Sequence, residues 1–158
     1  MRTILAAFAL LAFASGYSLA AGKSVILTVT SAVKGVSVEF NREQLERLES
    51  REASMETPWT EGRVTFRGPL LKAVLQAAGA EGNRLVIKAL NDYSAEIPID
   101  DATDLPTILA MRANGNTLSV REKGPLFLIY PFDLKPELYN EKYFARSVWQ
   151  ISEIEVLD

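Results

Sequence analysis

The clearest structural signal in the sequence is one short helix among segments that favour strands. In Gly68–Gly79, Pro69 suits a first helical turn, and Gly79 can end the helix in the left-handed conformation. Apolar side chains recur on one face at helical spacing, at Leu71, Val74 and Leu75. These features together predict a helix over this segment.

The other regular segments are mostly short, alternating or fully apolar runs, which are typical of strands. The predicted strands are Ser24–Thr30, Val36–Phe40, Leu85–Leu90, Ser94–Pro98, Ile108–Ala113, Leu126–Tyr130 and Val148–Val156. Asn114-Gly115 is a strong hairpin signal. Asn41 and Gln44 predict a capped start for a surface helix over Arg42–Glu49, and Glu52–Thr57 is interpreted as a loop. The pattern predicts a single, mostly-β domain of the α+β class with short helices.

The N-terminus has the pattern of a secretory signal peptide. Arg2 precedes an apolar run over residues 4–14, and Ser18 and Ala20 supply small residues before a predicted cleavage site. The apolar run is too short to span a membrane. We therefore expect a signal peptide over residues 1–20, a mature domain over residues 21–158, a periplasmic or secreted location, and no membrane insertion after cleavage.

The residue types that the sequence lacks exclude several kinds of chemistry. It has no cysteine and no histidine, so it offers no Ser-His-Asp or Cys-His catalytic arrangement and no ordinary zinc, copper or haem site. Acidic residues outnumber basic ones, 20 to 17, and no basic run occurs. We therefore expect no nucleic-acid partner.

Six short motifs in order along the chain resemble the molybdopterin-binding domain of the sulfite oxidase family. The motifs are Pro58-Trp59; Phe66, Gly68, Leu71, Val74, Leu75 and Gly79; Asn91-Asp92-Tyr93 with Ile97-Pro98; Leu109-Ala110 with Asn114-Gly115 and Leu118; Gly124-Pro125-Leu126 with Leu128 and Pro131; and Arg146-Ser147 with Trp149, Ile154 and Val156. The resemblance covers nearly all of residues 21–158. It implies a sulfite-oxidase-like molybdopterin-binding fold.

Two departures from the family pattern bear on the cofactor. The resemblance implies a molybdenum-binding cysteine upstream of Pro58-Trp59, but Glu49–Thr57 contains none. It also implies an arginine that holds the cofactor phosphate, and Phe127 stands at that place. We therefore expect no molybdenum and no tightly bound cofactor.

The family resemblance still implies a place for a pterin ring. The candidate ligand-binding residues are Trp59, Asn91, Asp92, Tyr93, Arg146, Ser147 and Trp149. A pterin is flat and carries hydrogen-bond donors and acceptors along its edge, so aromatic faces and polar side chains suit it. Each candidate also has a structural alternative: Trp149 and Trp59 can belong to the core, Tyr93 to a hairpin, and Arg146 to a salt bridge. Ser147 can satisfy the backbone at the strand entrance.

Cysteine-free secreted members of this fold resemble pterin-binding proteins, some of them similar to partners of membrane enzymes that make or degrade cyclic di-GMP. The resemblance therefore implies a non-catalytic, periplasmic pterin-binding protein that senses its ligand for such a signalling partner. Two alternatives stay open. One is an enzyme, either a molybdopterin-dependent oxidoreductase with an unconventional metal ligand or a pterin-modifying activity that uses carboxylates. The other is an interaction module with an empty cleft.

Overall fold

A computed structural model describes residues 24–158, which form three sheets and four short α-helices. The strands are β1 (Val25–Ser31), β2 (Val36–Asn41), β3 (Ser50–Glu56), β4 (Arg63–Pro69), β5 (Arg84–Ala89), β6 (Ser94–Pro98), β7 (Ile108–Ala110), β8 (Arg112–Ala113), β9 (Asn116–Thr117), β10 (Phe127–Ile129) and β11 (Ile151–Leu157). The helices are α1 (Arg42–Glu46), α2 (Leu71–Ala78), α3 (Asp100–Thr103) and α4 (Glu141–Arg146). The predicted signal peptide lies outside the described residues and stays a prediction.

The largest sheet has five strands in the order β2-β1-β11-β5-β6. The C-terminal strand β11 runs parallel to β1 and antiparallel to β5, so the two ends of the domain meet in the middle of one sheet. Strands β3, β4, β8 and β9 form a second sheet, and β10 pairs with β7 in a third. The predicted mostly-β, α+β class is confirmed. No helix within residues 24–158 is long and apolar enough to cross a membrane.

Alternation along the strands supplies the core. Inward positions of the five-stranded sheet are fully buried at Leu27, Val29, Leu85, Ile87, Ile154 and Val156. Helix α2 adds its predicted stripe of Leu71, Val74 and Leu75, and Gly79 ends it with a φ of 63°. Helix α1 begins with the predicted capping box of Asn41 and Gln44. These local predictions are confirmed because periodicity and caps determine them.

Two predictions about the segment before α2 are wrong. Glu52–Thr57, interpreted as a loop, belongs mostly to β3, where only Ala53 and Met55 point inward and the backbone pairs along β4. Pro69 does not start the helix but ends β4 opposite Ser50, and α2 begins at Leu71. Gly68 lies against the backbone of Leu109, where a Cβ atom would collide with the carbonyl group. This close approach explains the glycine.

Candidate functional site

One cavity of about 310 Å³ contains most of the predicted site, and we call it the ring cavity. Its lining residues are Trp59, Asn91, Tyr93, Phe144, Ala145, Ser147, Val148 and Trp149. Five of the seven candidate residues therefore come together, although they lie far apart in sequence. The structure does not include Asp92 or Arg146 in this lining.

The turn between β5 and β6 forms one side of the ring cavity. Asp92 has a φ of 65° at the tip of this turn, and the Asn91 Oδ1 atom accepts a hydrogen bond of 3.2 Å from the Tyr93 backbone N–H. The Tyr93 hydroxyl donates to the backbone carbonyl of Ala145 at 2.9 Å. This bond connects the turn to the end of α4. Asp92 thus shapes the turn, and its two neighbours line the cavity.

The segment after α4 forms the opposite part of the lining. The buried Ser147 hydroxyl donates to the carbonyl of Tyr143 at 2.8 Å, which leaves the oxygen lone pairs of Ser147 able to accept from a ligand. The Leu128 N–H donates to the Val148 carbonyl at 2.9 Å, and Trp149 forms an isolated bridge with Phe127. The backbone of this segment is therefore fixed by β10 before β11 begins.

Aromatic rings meet edge to face around the cavity. The Trp59 ring centroid lies 6.0 Å from that of Trp149, 5.7 Å from Phe144 and 5.4 Å from Phe127. Both tryptophans are only partly buried and pack against the core at one side. The Lys123 Nζ atom lies 4.6 Å from the centroid of the Trp149 ring. Trp59 and Trp149 thus combine a core contact with a place in the cavity lining, and contact of either ring with a ligand stays a prediction.

Arg146 lies in a second group of residues, which we call the Asp101 cluster: Asp101, Tyr130 and Arg146. The Arg146 Nη1 group donates to Asp101 Oδ2 at 2.8 Å, and the Tyr130 hydroxyl donates to the same oxygen at 2.7 Å. The side chains of Asp101 and Arg146 are 7% and 21% exposed. Burial, and then the charge of Asp101, raise the pKa of Tyr130 above its ordinary value, so the phenol stays protonated and donates.

The Asp101 cluster corresponds to the alternative in which Arg146 makes a structural salt bridge. Asp101 was missed from sequence because it belongs to a run of acidic residues in a short helix, α3, which resembles an ordinary solvated surface. Its partner Arg146 is 45 positions away. No local pattern identifies that pair, because the two side chains meet only in the folded chain.

A larger groove, of about 390 Å³, offers a different chemistry. It is lined by charged and small residues, including Glu46 and Arg112, whose side chains form a 2.9 Å ion pair, and by Arg67. Its lining contains no aromatic side chain among the described residues. A flat heterocycle has no stacking face there, so the ring cavity is the better candidate for a pterin.

The residues present do not fit a molybdenum centre held by the protein. The sequence contains no cysteine, and within residues 24–158 no group of three histidine, cysteine, aspartate or glutamate side chains is placed to hold a metal ion. Phe127 is buried against Trp59 and Phe66, so it serves the aromatic packing. The neutral donors and aromatic edges of the ring cavity do fit the organic ring of a pterin.

Comparisons with known proteins agree with this fold. The sequence matches the family described as Oxidoreductase molybdopterin binding domain over residues 27–158. The structure is similar to the crystal structure of the sulfane dehydrogenase SoxCD from Paracoccus pantotrophus, with a TM-score of 0.64 and 18% sequence identity. The similarity covers 86% of this chain but 39% of that one. A comparison with curated proteins finds no match.

Proposed function

This chain belongs to the oxidoreductase molybdopterin-binding domain family, and on that premise we propose that it binds a free pterin in the ring cavity without carrying a molybdenum centre. The observation that carries the proposal is the convergence of Trp59, Trp149 and Ser147 on one cavity of about 310 Å³. In this proposal the family fold provides the cavity, and these three side chains provide the contacts that recognise the pterin.

The ring cavity suits the two recognition needs of a pterin. Trp149 and Trp59 offer aromatic surface, and stacking on such rings contributes about 0.5–1.5 kcal/mol beyond area burial. The Ser147 oxygen can accept from the amino group or ring N–H of the ligand. The Asn91 side-chain amide donates no hydrogen bond within residues 24–158, so it is available for a ring nitrogen or the carbonyl group.

We assign the protein a binding rather than a catalytic role. Among residues 24–158, none of the side chains lining the ring cavity is charged, so none is a general base of ordinary strength near neutral pH. The chain also has no thiolate to complete a metal site of the family type. Both features support ligand binding without turnover.

The proposed role is ligand sensing in the periplasm for a membrane signalling protein, such as an enzyme that makes or degrades cyclic di-GMP. Support comes from the exposed side chains beside the cavity: Leu90 is 55% exposed and Tyr93 is 50% exposed. The Leu90 N–H donates to the Gln150 carbonyl at 2.9 Å, so this surface adjoins the Trp149 segment. Occupancy of the cavity would therefore alter the environment of a surface that a partner can contact.

The signalling part of the proposal is tested by crosslinking from position 90 in the native host, with and without added pterin. We expect a membrane signalling protein to be crosslinked in a pterin-dependent manner. A crosslinking yield that does not change with the pterin concentration would argue against sensing. It would not argue against pterin binding.

The binding proposal is tested on protein purified from its native host. Small molecules released on denaturation are identified by mass spectrometry, and molybdenum is measured by elemental analysis of the same sample. We expect a pterin and less than about a tenth of an equivalent of molybdenum. Stoichiometric molybdenum would favour the oxidoreductase alternative, and a sample free of both, which also fails to bind added pterin, would favour the empty interaction module.

A further inference from the structure

A second cavity of about 370 Å³ shares a wall with the ring cavity, and we call it the basic cavity. Trp59 lines both cavities. Lys123 lines the basic cavity and also places its ammonium group 4.6 Å from the centroid of Trp149, a ring-cavity residue. The two cavities therefore adjoin at Trp59, and Lys123 extends from the basic cavity to a ring-cavity residue.

The basic cavity differs from the ring cavity in its charge. Arg121 and Lys123 contribute two cations to its lining. The acidic residue between them, Glu122, is engaged by Ser119, whose hydroxyl donates at 2.8 Å and whose backbone N–H donates at 3.3 Å. These hydrogen bonds hold the pKa of Glu122 below its ordinary value. Glu122 also lines the cavity and stays ionised, so the charged side chains of the lining are two cations and one carboxylate, and their net charge of +1 favours an external anion.

The Arg121 guanidinium makes no hydrogen bond or ion pair with another residue in 24–158. Neutral polar side chains lie beside it in the β9 hairpin, at Asn116 and Thr117. The floor of the cavity is aromatic, because Phe66 and Phe127 lie beneath it. A cavity with aromatic side chains and two cations in its lining suits an extended side chain that ends in a carboxylate.

We propose that the two cavities form one extended site, which selects a pterin whose side chain ends in a carboxylate. The ring lies in the ring cavity, the side chain crosses Trp59, and the carboxylate lies near Arg121 and Lys123. This inference rests on the proposed function and adds the ligand's side-chain class to it. The overall charge of the chain is −3, so a local preference for an anion has to come from these two cations.

The test compares three probes by calorimetry: 6-hydroxymethylpterin, pteroic acid and pteroic acid methyl ester. The acid and the ester have nearly the same size and aromatic area, and only the acid is charged. We expect the wild-type protein to bind the acid about three- to fivefold more tightly than the ester, which is the range of partly exposed ion pairs. The preference should shrink at high salt.

The variant that tests the assignment is Arg121→Gln, and its matched control is Arg67→Gln in the other groove. Arg121→Gln should remove most of the preference for the acid and leave the affinity for 6-hydroxymethylpterin unchanged, whereas Arg67→Gln should change neither. Equal affinities of acid and ester in the wild-type protein, with 6-hydroxymethylpterin still bound, would overturn this inference alone. Failure of the wild-type protein to bind any of the probes would overturn the proposed function as well.

Discussion

The ring cavity and the Asp101 cluster share one segment, 145–149, and they use opposite chemistry: Arg146 belongs to the cluster, and the residues on both sides of it line the cavity. In the Asp101 cluster the charged groups are paired with one another and nearly buried. In the ring cavity the lining side chains of the described chain are neutral and partly open. The difference indicates that this segment uses its charge to hold the framework, while its tryptophan lines the cavity.

The largest expected effect comes from breaking the Asp101 cluster. Asp101→Ala would leave the Arg146 charge and the Tyr130 hydroxyl without their common acceptor. Removing one partner of a buried pair typically lowers the free energy of unfolding by about 3–5 kcal/mol. Chemical denaturation of the wild type and the variant measures this loss in the free energy of unfolding. Tyr130→Phe, which removes only one hydrogen bond, is the graded control, with a loss of about 1.5–3 kcal/mol.

A loss in Asp101→Ala no larger than that in Tyr130→Phe would contradict the account of the framework. It would mean that Arg146 finds another acceptor or becomes solvated. In that case the guanidinium would be free to reach the ring cavity, and the prediction of Arg146 as a ligand-binding residue would regain support.

Arg146→Lys sharpens the comparison with a smaller change. A lysine retains the charge next to Asp101 but loses the planar group that lies 5.5 Å from the centroid of the Tyr143 ring. We expect a loss of about 1 kcal/mol in the free energy of unfolding. Affinity for 6-hydroxymethylpterin should stay within about twofold of the wild type, since that change corresponds to less than about 0.5 kcal/mol.

The contrary outcome for Arg146→Lys is a folded protein of nearly wild-type stability that no longer binds pterin. That result would assign Arg146 to the ligand. Arg146→Ala cannot make this distinction by itself, because it would also leave Asp101 without its cation.

The smallest expected effect concerns a charged cluster whose side chains are not in the lining of the ring cavity. The Lys88 ammonium lies 3.0 Å from Glu153 and 2.9 Å from Glu155, and hydrogen bonds to Glu155 and then Glu153 raise the pKa of Lys88 above 10.5. A raised folded-state pKa gives stability that is fully present below the unfolded pKa and is lost as the pH rises through the folded one. We expect Lys88→Met to reduce the loss of stability measured as the pH rises above 10.5, by less than about 1 kcal/mol.

The outcome that would contradict the Lys88 account is an identical pH profile in the wild type and the variant above pH 10. Pterin affinity at pH 7 should be unchanged in Lys88→Met. This variant therefore also serves as a surface control for the ligand measurements.

Sequence reasoning identified elements with a strong local pattern and missed those defined by distant partners. The capping box at Asn41 and the left-handed Gly79 are local features and were predicted correctly. Strand β3 was missed because it exposes most of its side chains and is held by backbone pairing with β4. Pro69 was assigned to the helix because a proline suits a first turn, but pairing of β3 with β4 extends the strand to that residue.

The candidate site was also predicted only in part. The family resemblance indicated Trp59, Tyr93 and Trp149, which do line one cavity. It could not separate Arg146 from them, since the partner of Arg146, Asp101, lies 45 positions away in the sequence. Arg121 and Lys123 were not predicted as site residues. Two basic residues in a short segment do not indicate a binding site, and only the structure shows that Lys123 lies beside Trp149.

The most direct test of the central claim is a calorimetric titration of 6-hydroxymethylpterin into the wild-type protein and Trp149→Ala, with the stability of each measured in parallel. We predict one ligand per wild-type chain and at least a tenfold weaker affinity in the variant, which corresponds to about 1.4 kcal/mol. The variant should remain folded, because Trp149 is only partly buried, and it should lose the ligand-induced rise in melting temperature. A folded Trp149→Ala protein that binds the pterin with wild-type affinity would contradict the assignment of the ring cavity.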